Sequence, residues 1–198
     1  YVHDGEAQRF PLRQHEKVTL LAVSDLADEA AVAKVYDAIP RLWASIHLAG
    51  GFAMSPVAET GKAALMQQLD MNFLTCFLCC RAAVNAFARS GDGGRIVNVA
   101  ARPALEWRSG AGMAAYTASK AAVAALTVAL AEEVAKDGIL VNAVAPSIMD
   151  TAANRAAMPK ADYDAWPKVE EVAATIAFLA SPDNKVTRGG IVPVYGRS

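Results

Sequence analysis

Short runs of Val, Ile and Leu alternate with amphipathic segments along the chain. Nearly continuous apolar runs separated by segments of helical periodicity indicate a parallel sheet that is buried on both faces. The predicted strands cover 18–23, 44–51, 95–101, 139–146 and 190–196, and the predicted helices cover 28–39, 60–90, 113–136 and 168–180. Because such crossover connections are right-handed, we predict an α/β fold with a doubly wound parallel sheet, in a single domain spanning 1–198.

Charge and composition exclude several kinds of partner. The formal net charge is −1, with 19 Lys and Arg against 20 Asp and Glu, so neither nucleic acid nor a lipid surface is an expected partner. Charged residues interrupt the longest apolar runs well before about eighteen residues, so no membrane span is predicted. Residues 1–5 carry no signal-peptide pattern, which leaves a cytoplasmic location as the expectation.

Three cysteines, Cys76, Cys79 and Cys80, lie together in the segment "CFLCC". An odd number of cysteines this close in sequence does not predict a disulfide framework. As metal ligands they lack a second cysteine pair and a histidine nearby in the sequence. Their spacing places them on one face of a helix, where cysteine packs as a small apolar residue. We therefore predict a packed helix face and no metal site.

The carboxyl ends of the predicted strands indicate where a ligand binds, because doubly wound sheets bind ligands just beyond those ends. The residues at these ends are Asp25, Ala49, Gly50, Gly51, Ala100, Ala101, Pro146 and Ser147. We expect them to lie along one rim of the sheet, and we place His47 at the same rim without a role.

A tyrosine and a lysine lie four residues apart in "GMAAYTASKAAV", residues 112–123. On a helix, Tyr116 and Lys120 share one face, one turn apart. A neighbouring ammonium favours the phenolate and lowers the pKa of a tyrosine, which suits the phenol to proton transfer at a substrate atom. A core tyrosine beside a lysine that reaches to water is the structural alternative. The surrounding alanines keep this helix thin and favour a close partner.

These features resemble the short-chain dehydrogenase/reductase family over nearly the whole chain. The matching features are the Tyr-x-x-x-Lys pair (Tyr116 and Lys120), a helix asparagine (Asn72), an aspartate after the third strand (Asp25), the last two residues of the Asn-Asn-Ala-Gly turn (Ala49 and Gly50), and the segment "VNAVAPS" followed by Thr151. Ser147 replaces a glycine of the family in that segment. The resemblance implies a Rossmann fold and an NAD(P)-dependent oxidoreductase that acts on a small molecule.

The resemblance also implies roles for individual residues. Tyr116 would donate a proton to the substrate, Lys120 would hold the nicotinamide ribose and lower the tyrosine pKa, and Asn72 would anchor a water in a proton relay. The implied cofactor contacts are Asp25, Leu26, Ala49, Gly50, Tyr116, Lys120, Pro146, Ile148 and Thr151. Ile148 would reach the nicotinamide carboxamide through its backbone, and Thr151 through its hydroxyl. Helices 62–90 and 113–136 would pair copies of the chain into a homodimer or homotetramer.

Two departures from the family bear on activity. Ala101 stands where the family usually places a serine that polarises the substrate carbonyl, and Ser109 is the one nearby serine considered as a substitute. Loss of such a donor costs a rate factor of roughly hundreds in carbonyl chemistry. The dihydropteridine reductase branch also works without that serine and resembles segment 149–166, although it lacks the helix asparagine. In this segment Met158, Tyr163 and Trp166 would line the substrate mouth.

The second departure is the family's pyrophosphate-binding glycine motif, which does not occur in this sequence. The segment "GDGG" at 91–94 precedes a strand and is interpreted as a connecting turn. We expect a first βαβ half of about forty to fifty residues to be missing from the chain, as a mobile segment. The residue that selects NAD or NADP belongs to that half, so the resemblance predicts NAD or NADP without choosing between them.

Two functions compete at this point. The leading hypothesis is an NAD(P)-dependent reductase that uses Tyr116 as its proton donor. The alternative is a catalytically impaired binding or scaffold protein that keeps the fold, because a fold does not by itself establish chemistry. The alanine at position 101 slightly favours the alternative.

Overall fold

The parallel sheet predicted from the apolar runs is present. A computed structural model describes Tyr1 and residues 4–198, whereas Val2 and His3 of the N-terminal stretch considered above lie outside the described residues. Within the described part the strands are β1 (Ala44–His47), β2 (Gly94–Val99), β3 (Ile139–Pro146) and β4 (Ile191–Val194). They lie in the order β1-β2-β3-β4 and are all parallel, which confirms the α/β class.

Helices cover both faces of this sheet. They are α1 (Asp4–Arg9), α2 (Glu29–Asp37), α3 (Lys62–Leu69), α4 (Thr75–Ser90), α5 (Arg102–Leu105), α6 (Ala114–Glu133), α7 (Ala152–Ala157) and α8 (Val169–Ala180), with a π-helix, Asp70–Leu74, between α3 and α4. Neighbouring residues of β2 point to opposite faces: Ile96 packs with α2, α4 and α6, whereas Val97 packs with α8. The core is therefore two apolar layers separated by the sheet.

Local chemistry explains where several elements begin and end. The side chain of Asp28 accepts hydrogen bonds from the amides of Ala30 and Ala31 and caps the N-terminus of α2. Helix α4 ends at Gly91, whose φ of 71° lies in the left-handed region that favours glycine. β2 then begins at Gly94, where an added Cβ would lie 2.2 Å from the Phe87 ring. The interpretation of "GDGG" as a connecting turn is confirmed.

The strand predicted at 18–23 does not form. Its β-branched, apolar composition matches a strand, but a strand also requires a hydrogen-bonded neighbour. In the part of the chain that the structure describes, the Val23 amide donates to the Tyr1 carbonyl and the Tyr1 amine donates to the Leu21 carbonyl. The stretch is not paired with β1, and the sheet consists of β1 to β4. The prediction was wrong because the composition of 18–23 indicates only a preference for extended backbone. It does not show whether a neighbouring strand is available to pair with it.

Two helical stretches, Lys62–Ser90 and Ala114–Glu133, are long and apolar enough to span a bilayer by length and composition. The prediction of no membrane span relied on charged residues within the apolar runs, and it did not identify these two stretches. The buried sides of α4 and α6 pack on the sheet, and 50% of the apolar window in the first stretch and 28% of that in the second are buried. The expectation that the chain has no membrane partner stays a prediction.

One buried hydroxyl on α6 gives a stability prediction. Among the described residues, Thr117 Oγ1 is buried and has no hydrogen-bond partner. We expect Thr117→Val to raise the free energy of unfolding by about 1 kcal/mol, because it removes an unpaired polar group while nearly keeping the shape. Urea denaturation measures this change.

Thr127 on the same helix is the matched control. Its Oγ1 accepts a hydrogen bond from Asn98 and donates one to the Val123 carbonyl. Thr127→Val should therefore lower the free energy of unfolding by about 1–3 kcal/mol. Equal changes of the same sign in both variants would contradict the assignment.

Candidate active site

Lys120 is held at the carboxyl edge of the sheet. It is 6% exposed, and its Nζ donates a hydrogen bond of 2.9 Å to the carbonyl of Val99, the last residue of β2. Gly50, just beyond β1, lies beside it: an added Cβ there would be 3.3 Å from the lysine Nζ and 2.7 Å from Asn72 Oδ1. The structure thus brings together Lys120, Asn72 and Gly50, and a Cβ at position 50 would displace the Asn72 side chain.

Asn72 fixes the loop that follows β1. Its side-chain amide both accepts a hydrogen bond from the Gly51 amide and donates one to the Gly51 carbonyl, each at 3.0 Å. It lies in the π-helix Asp70–Leu74, a wider turn that often occurs at functional sites. Its Nδ2 also donates to Ser119 Oγ at 3.2 Å. The amide is therefore a bridge between the loop after β1 and α6.

Ser119 is a site residue that sequence reasoning missed. Its buried hydroxyl donates to the Tyr116 carbonyl at 2.7 Å and accepts from Asn72. The available signal was its spacing, three residues after Tyr116 and one before Lys120, which puts it near the same helix face. Its contacts tie the start of α6 to the π-helix.

Tyr116 is half-buried, and its ring meets Phe52 edge to face, with centroids 5.0 Å apart at an interplanar angle of 84°. Burial raises the pKa of the Tyr116 phenol to about 12 and lowers the pKa of the Lys120 ammonium to about 8. This is opposite to the expected lowering of the tyrosine pKa by the lysine. Desolvation dominates at the phenol, and the ammonium is directed to the Val99 carbonyl.

The residues expected on the adenosine side share one cleft. An open cavity of about 650 Å³ is lined by Asp25, Leu26, Ala49 and Gly50 together with residues of α3 and the π-helix. The carboxylate of Asp25 accepts a hydrogen bond from the Ala27 amide at 2.8 Å, which shapes the turn at the cleft wall. The cleft thus collects residues that lie far apart in the sequence.

Three other predicted cofactor contacts lie at the end of β3, outside the lining of that cleft. Pro146 closes β3 opposite Val194, and Ile148 is 43% exposed just beyond it. The Thr151 hydroxyl accepts a hydrogen bond from the Asn154 amide and caps α7. Its proton remains free to donate to a ligand, so the cap is compatible with the expected contact.

The position of the family serine is apolar. Ala101 is buried and caps α5 without a side-chain hydrogen bond. Ser109 is exposed, and its hydroxyl donates to the Glu106 carbonyl at 2.7 Å. As expected for a loop serine, Ser109 lies at the surface with its hydroxyl used in a turn, so it does not replace the missing donor.

Segment 149–166 is pinned by charge and by aromatic packing. Asp150 pairs with Arg155 at 2.5 Å and with Lys168 at 2.6 Å, which joins α7 to the start of α8. Tyr163 packs on Trp166 with ring centroids 5.1 Å apart, and Trp166 is buried. Trp166 is thus a packing residue and does not present its ring to an open mouth.

The cysteine face is packed as predicted, but one reason given for excluding a metal was wrong. Cys76, Cys79 and Cys80 are all buried on α4. His47, distant in sequence, lies within 4.8 Å of the sulfurs of Cys76 and Cys80. Sequence distance concealed this histidine because β1 and α4 meet only in the fold.

Comparison with known proteins identifies relatives along most of the chain. The family model for short chain dehydrogenases matches residues 7–162. A subunit of (2S)-[(R)-hydroxy(phenyl)methyl]succinyl-CoA dehydrogenase from Thauera aromatica is 30% identical over 94% of this chain and 78% of its own length. A hexahydroindene-carboxyl-CoA reductase from Mycobacterium tuberculosis is 34% identical over 87% of this chain and 70% of its own length.

A solved structure agrees with the sequence relatives. A protein from Beutenbergia cavernae, described as an NAD(P)-dependent gluconate 5-dehydrogenase and holding NADP at low occupancy, is 31% identical, with a TM-score of 0.79 over 88% of this chain and 74% of that chain. These relatives are not pterin reductases, so the resemblance to the dihydropteridine reductase branch gains no support from them. The matched family model and the relatives establish that the chain belongs to the short-chain dehydrogenase/reductase family of oxidoreductases.

Proposed function

We propose that the chain transfers hydride between NAD or NADP and a carbonyl or quinonoid pterin-like substrate, as a reductase with Tyr116 as the proton donor. The observation that carries the proposal is the convergence of Lys120, Asn72 and Gly50 at the carboxyl edge of the sheet, one helical turn from Tyr116. Ligands bind at this edge in doubly wound sheets. The NADP bound to the Beutenbergia cavernae relative supports the choice of cofactor.

The residues present fit the adenosine and nicotinamide-ribose ends of a dinucleotide. The absent Cβ of Gly50 leaves space between the backbone and the lysine, and the cleft of about 650 Å³ beside it continues to Asp25 and Leu26. Asp25 and Leu26 would hold the adenosine, Lys120 the ribose hydroxyls, and Ile148 and Thr151 the carboxamide. The nicotinamide supplies the hydride, and the protein contributes orientation and charge.

The protonation states suit reduction. A phenol with a pKa near 12 is neutral at pH 7, which is the form that donates a proton. The Lys120 ammonium is charged below about pH 8 and would stabilise the phenolate that forms when the proton leaves. Asn72 and Ser119 would keep α6 and the loop after β1 in fixed positions relative to each other during this step.

A direct assay separates the enzyme from a scaffold. The full-length protein is mixed with NADH and with NADPH, and cofactor binding is followed by fluorescence and by thermal stabilisation. Turnover is then screened against quinonoid dihydropterin and small ketones. We expect binding and turnover; neither binding nor turnover with either nicotinamide would refute the reductase and favour the scaffold.

Ala101 gives a prediction about substrate class. We expect Ala101→Ser to raise kcat/KM for ketones by roughly tenfold, because it restores a hydroxyl donor to the carbonyl; removal of such donors costs about 10²–10³. Turnover of a quinonoid pterin, which needs less polarisation, should change less than about twofold. Steady-state kinetics with both substrates tests this, and equal gains on both would contradict it.

Assembly and location complete the proposal. A homodimer or homotetramer through helices 62–90 and 113–136 is supported by the exposed apolar side chains of Leu65, Met66, Phe77 and Val128 on these helices. Sedimentation velocity measures the assembly. A cytoplasmic location stays a proposal.

A further inference from the structure

A cluster of soft ligand atoms lies in the core, apart from the residues proposed to bind substrate. His47 comes from the end of β1, and Cys76 and Cys80 come from successive turns of α4. All three side chains are buried, and one ring nitrogen and the two sulfurs lie within 4.8 Å of one another. Imidazole and thiolate are the ligands that zinc prefers in proteins.

We propose that His47, Cys76 and Cys80 bind a Zn²⁺ ion, with Asn98 Oδ1 as the fourth ligand. On binding, each thiol loses its proton to solvent while the imidazole stays neutral. Two thiolate charges then balance the charge of the ion, so the buried site is neutral overall. Neutrality matters because an unbalanced buried charge is strongly unfavourable.

Two of the distances between proposed ligand atoms already match a tetrahedral site. Zinc–sulfur bonds of about 2.3 Å and zinc–nitrogen bonds of about 2.1 Å place neighbouring ligand atoms about 3.5 Å apart. Cys80 Sγ lies 3.6 Å from His47 Nδ1 and 3.5 Å from Asn98 Oδ1. A third distance, from His47 Nδ1 to Asn98 Oδ1, is 2.8 Å and would lengthen by roughly 0.5 Å to reach tetrahedral spacing. Cys76 Sγ lies within 4.8 Å of the ligand atoms of His47 and Cys80 and would move closer to them on binding.

Hydrogen bonds from neighbouring side chains orient both non-sulfur ligands. His47 Nε2 lies 2.8 Å from Ser45 Oγ, which lies 2.7 Å from the Tyr36 hydroxyl. Asn98 Nδ2 donates to Thr127 Oγ1 at 2.9 Å, which directs Asn98 Oδ1 toward His47. Ligating histidines commonly donate their second ring N–H to such a partner.

The imidazole can change tautomer without moving. Without an ion, its Nδ1–H donates to Asn98 and its Nε2 accepts from Ser45. With zinc on Nδ1, the proton resides on Nε2 and is donated to Ser45 Oγ, while the hydroxyls of Ser45 and Tyr36 rotate. The ring position and its contact with Ser45 therefore serve both states, and the separation of Nδ1 from Asn98 Oδ1 increases when zinc binds.

The test uses the whole chain, treated with a chelator and kept reduced. We expect one Zn²⁺ per chain to survive gel filtration and to raise Tm. Co²⁺ in its place should give a thiolate-to-cobalt charge-transfer band and the intense visible bands of a tetrahedral site. A protein that shows no charge-transfer band and no change in Tm with either ion overturns the proposal, whatever the variants do.

Cys79 supplies the matched control, because it is buried on the same helix and is not a ligand in this proposal. Cys76→Ser and Cys80→Ser should abolish the charge-transfer band or weaken it strongly, and Cys79→Ser should keep it. Equal loss in all three variants overturns the assignment. If the ligand variants do not fold, Ser45→Ala should still weaken Zn²⁺ binding by roughly 10- to 100-fold, because it removes the hydroxyl that orients the His47 ring. Unchanged affinity in this variant also counts against the site.

Discussion

Tyr116→Phe should lower kcat by about two to four orders of magnitude, the size typical of a lost general acid, while the Kd for NADPH changes by less than about twofold. The phenol is half-buried against Phe52, and burial raises its pKa to about 12, so it carries a proton at neutral pH. Phenylalanine keeps the ring packing and removes only the hydroxyl. Stopped-flow kinetics measures the chemical step, and fluorescence titration measures cofactor affinity.

Thr117→Val is the control for this substitution, because it removes a hydroxyl from the next residue of the same helix. Its kcat should match that of the unaltered protein even though its stability rises. A Tyr116→Phe variant with unchanged kcat would refute the proton-donor role. A variant that loses NADPH binding would indicate that the hydroxyl serves the cofactor instead.

Lys120→Met should lower kcat/KM at least about a hundredfold and weaken NADPH binding by roughly ten- to a hundredfold. The ammonium is a charge-assisted donor at the sheet edge, and hydrogen bonds to charged groups contribute about 1.5–3 kcal/mol. Unlike Tyr116→Phe, this variant should change affinity and turnover together. Isothermal titration with NADPH and steady-state kinetics separate the two effects.

The same variant should be more stable than the unaltered protein in the absence of cofactor, by about 1–3 kcal/mol at pH 7. The folded state releases the Lys120 proton near pH 8, whereas an unfolded lysine keeps it to about 10.5. Between these values the unfolded state binds more protons, so the stability of the unaltered protein rises with pH. The advantage of Lys120→Met should be complete below pH 8 and disappear toward pH 10.5.

Lys34→Met provides the comparison for the pH series. Lys34 is an exposed lysine on α2, so its replacement should leave the pH dependence of unfolding unchanged. Urea midpoints measured across the pH series show the difference. A Lys120→Met advantage that is constant with pH would mean that packing, rather than the buried charge, explains it.

Much of the architecture could be predicted from the sequence, because an apolar run indicates directly which residues are buried. The strand predicted at 139–146 agrees with β3 at both ends, and the helix predicted at 168–180 agrees with α8 within one residue. Both have apolar faces that match one period throughout. The stretch 18–23 shows the limit, because a strand also depends on a neighbour that local composition does not specify.

The site was predictable where a motif places residues on one helix, as with Tyr116 and Lys120. It was not predictable where contacts join distant segments. The grouping of His47 with Cys76 and Cys80 depends on how β1 packs on α4. Likewise, the direction in which the Tyr116 pKa shifts depends on burial in the fold. Burial raises this pKa and outweighs the effect of Lys120 that the sequence spacing suggested.

The π-helix Asp70–Leu74 has a consequence for how this region tolerates change. A regular α-helix turns about 100° per residue. Deleting one residue of this wide turn after Asn72 would therefore rotate Asn72 and the helix before it by about that angle relative to α4. Asn72 would then face away from Gly51, although the sheet-facing side of α4 would keep its phase. The extra residue lets one continuous helical stretch hold the loop after β1 through Asn72 and still pack α4 on the sheet. A chain without this residue would need another side chain to hold that loop.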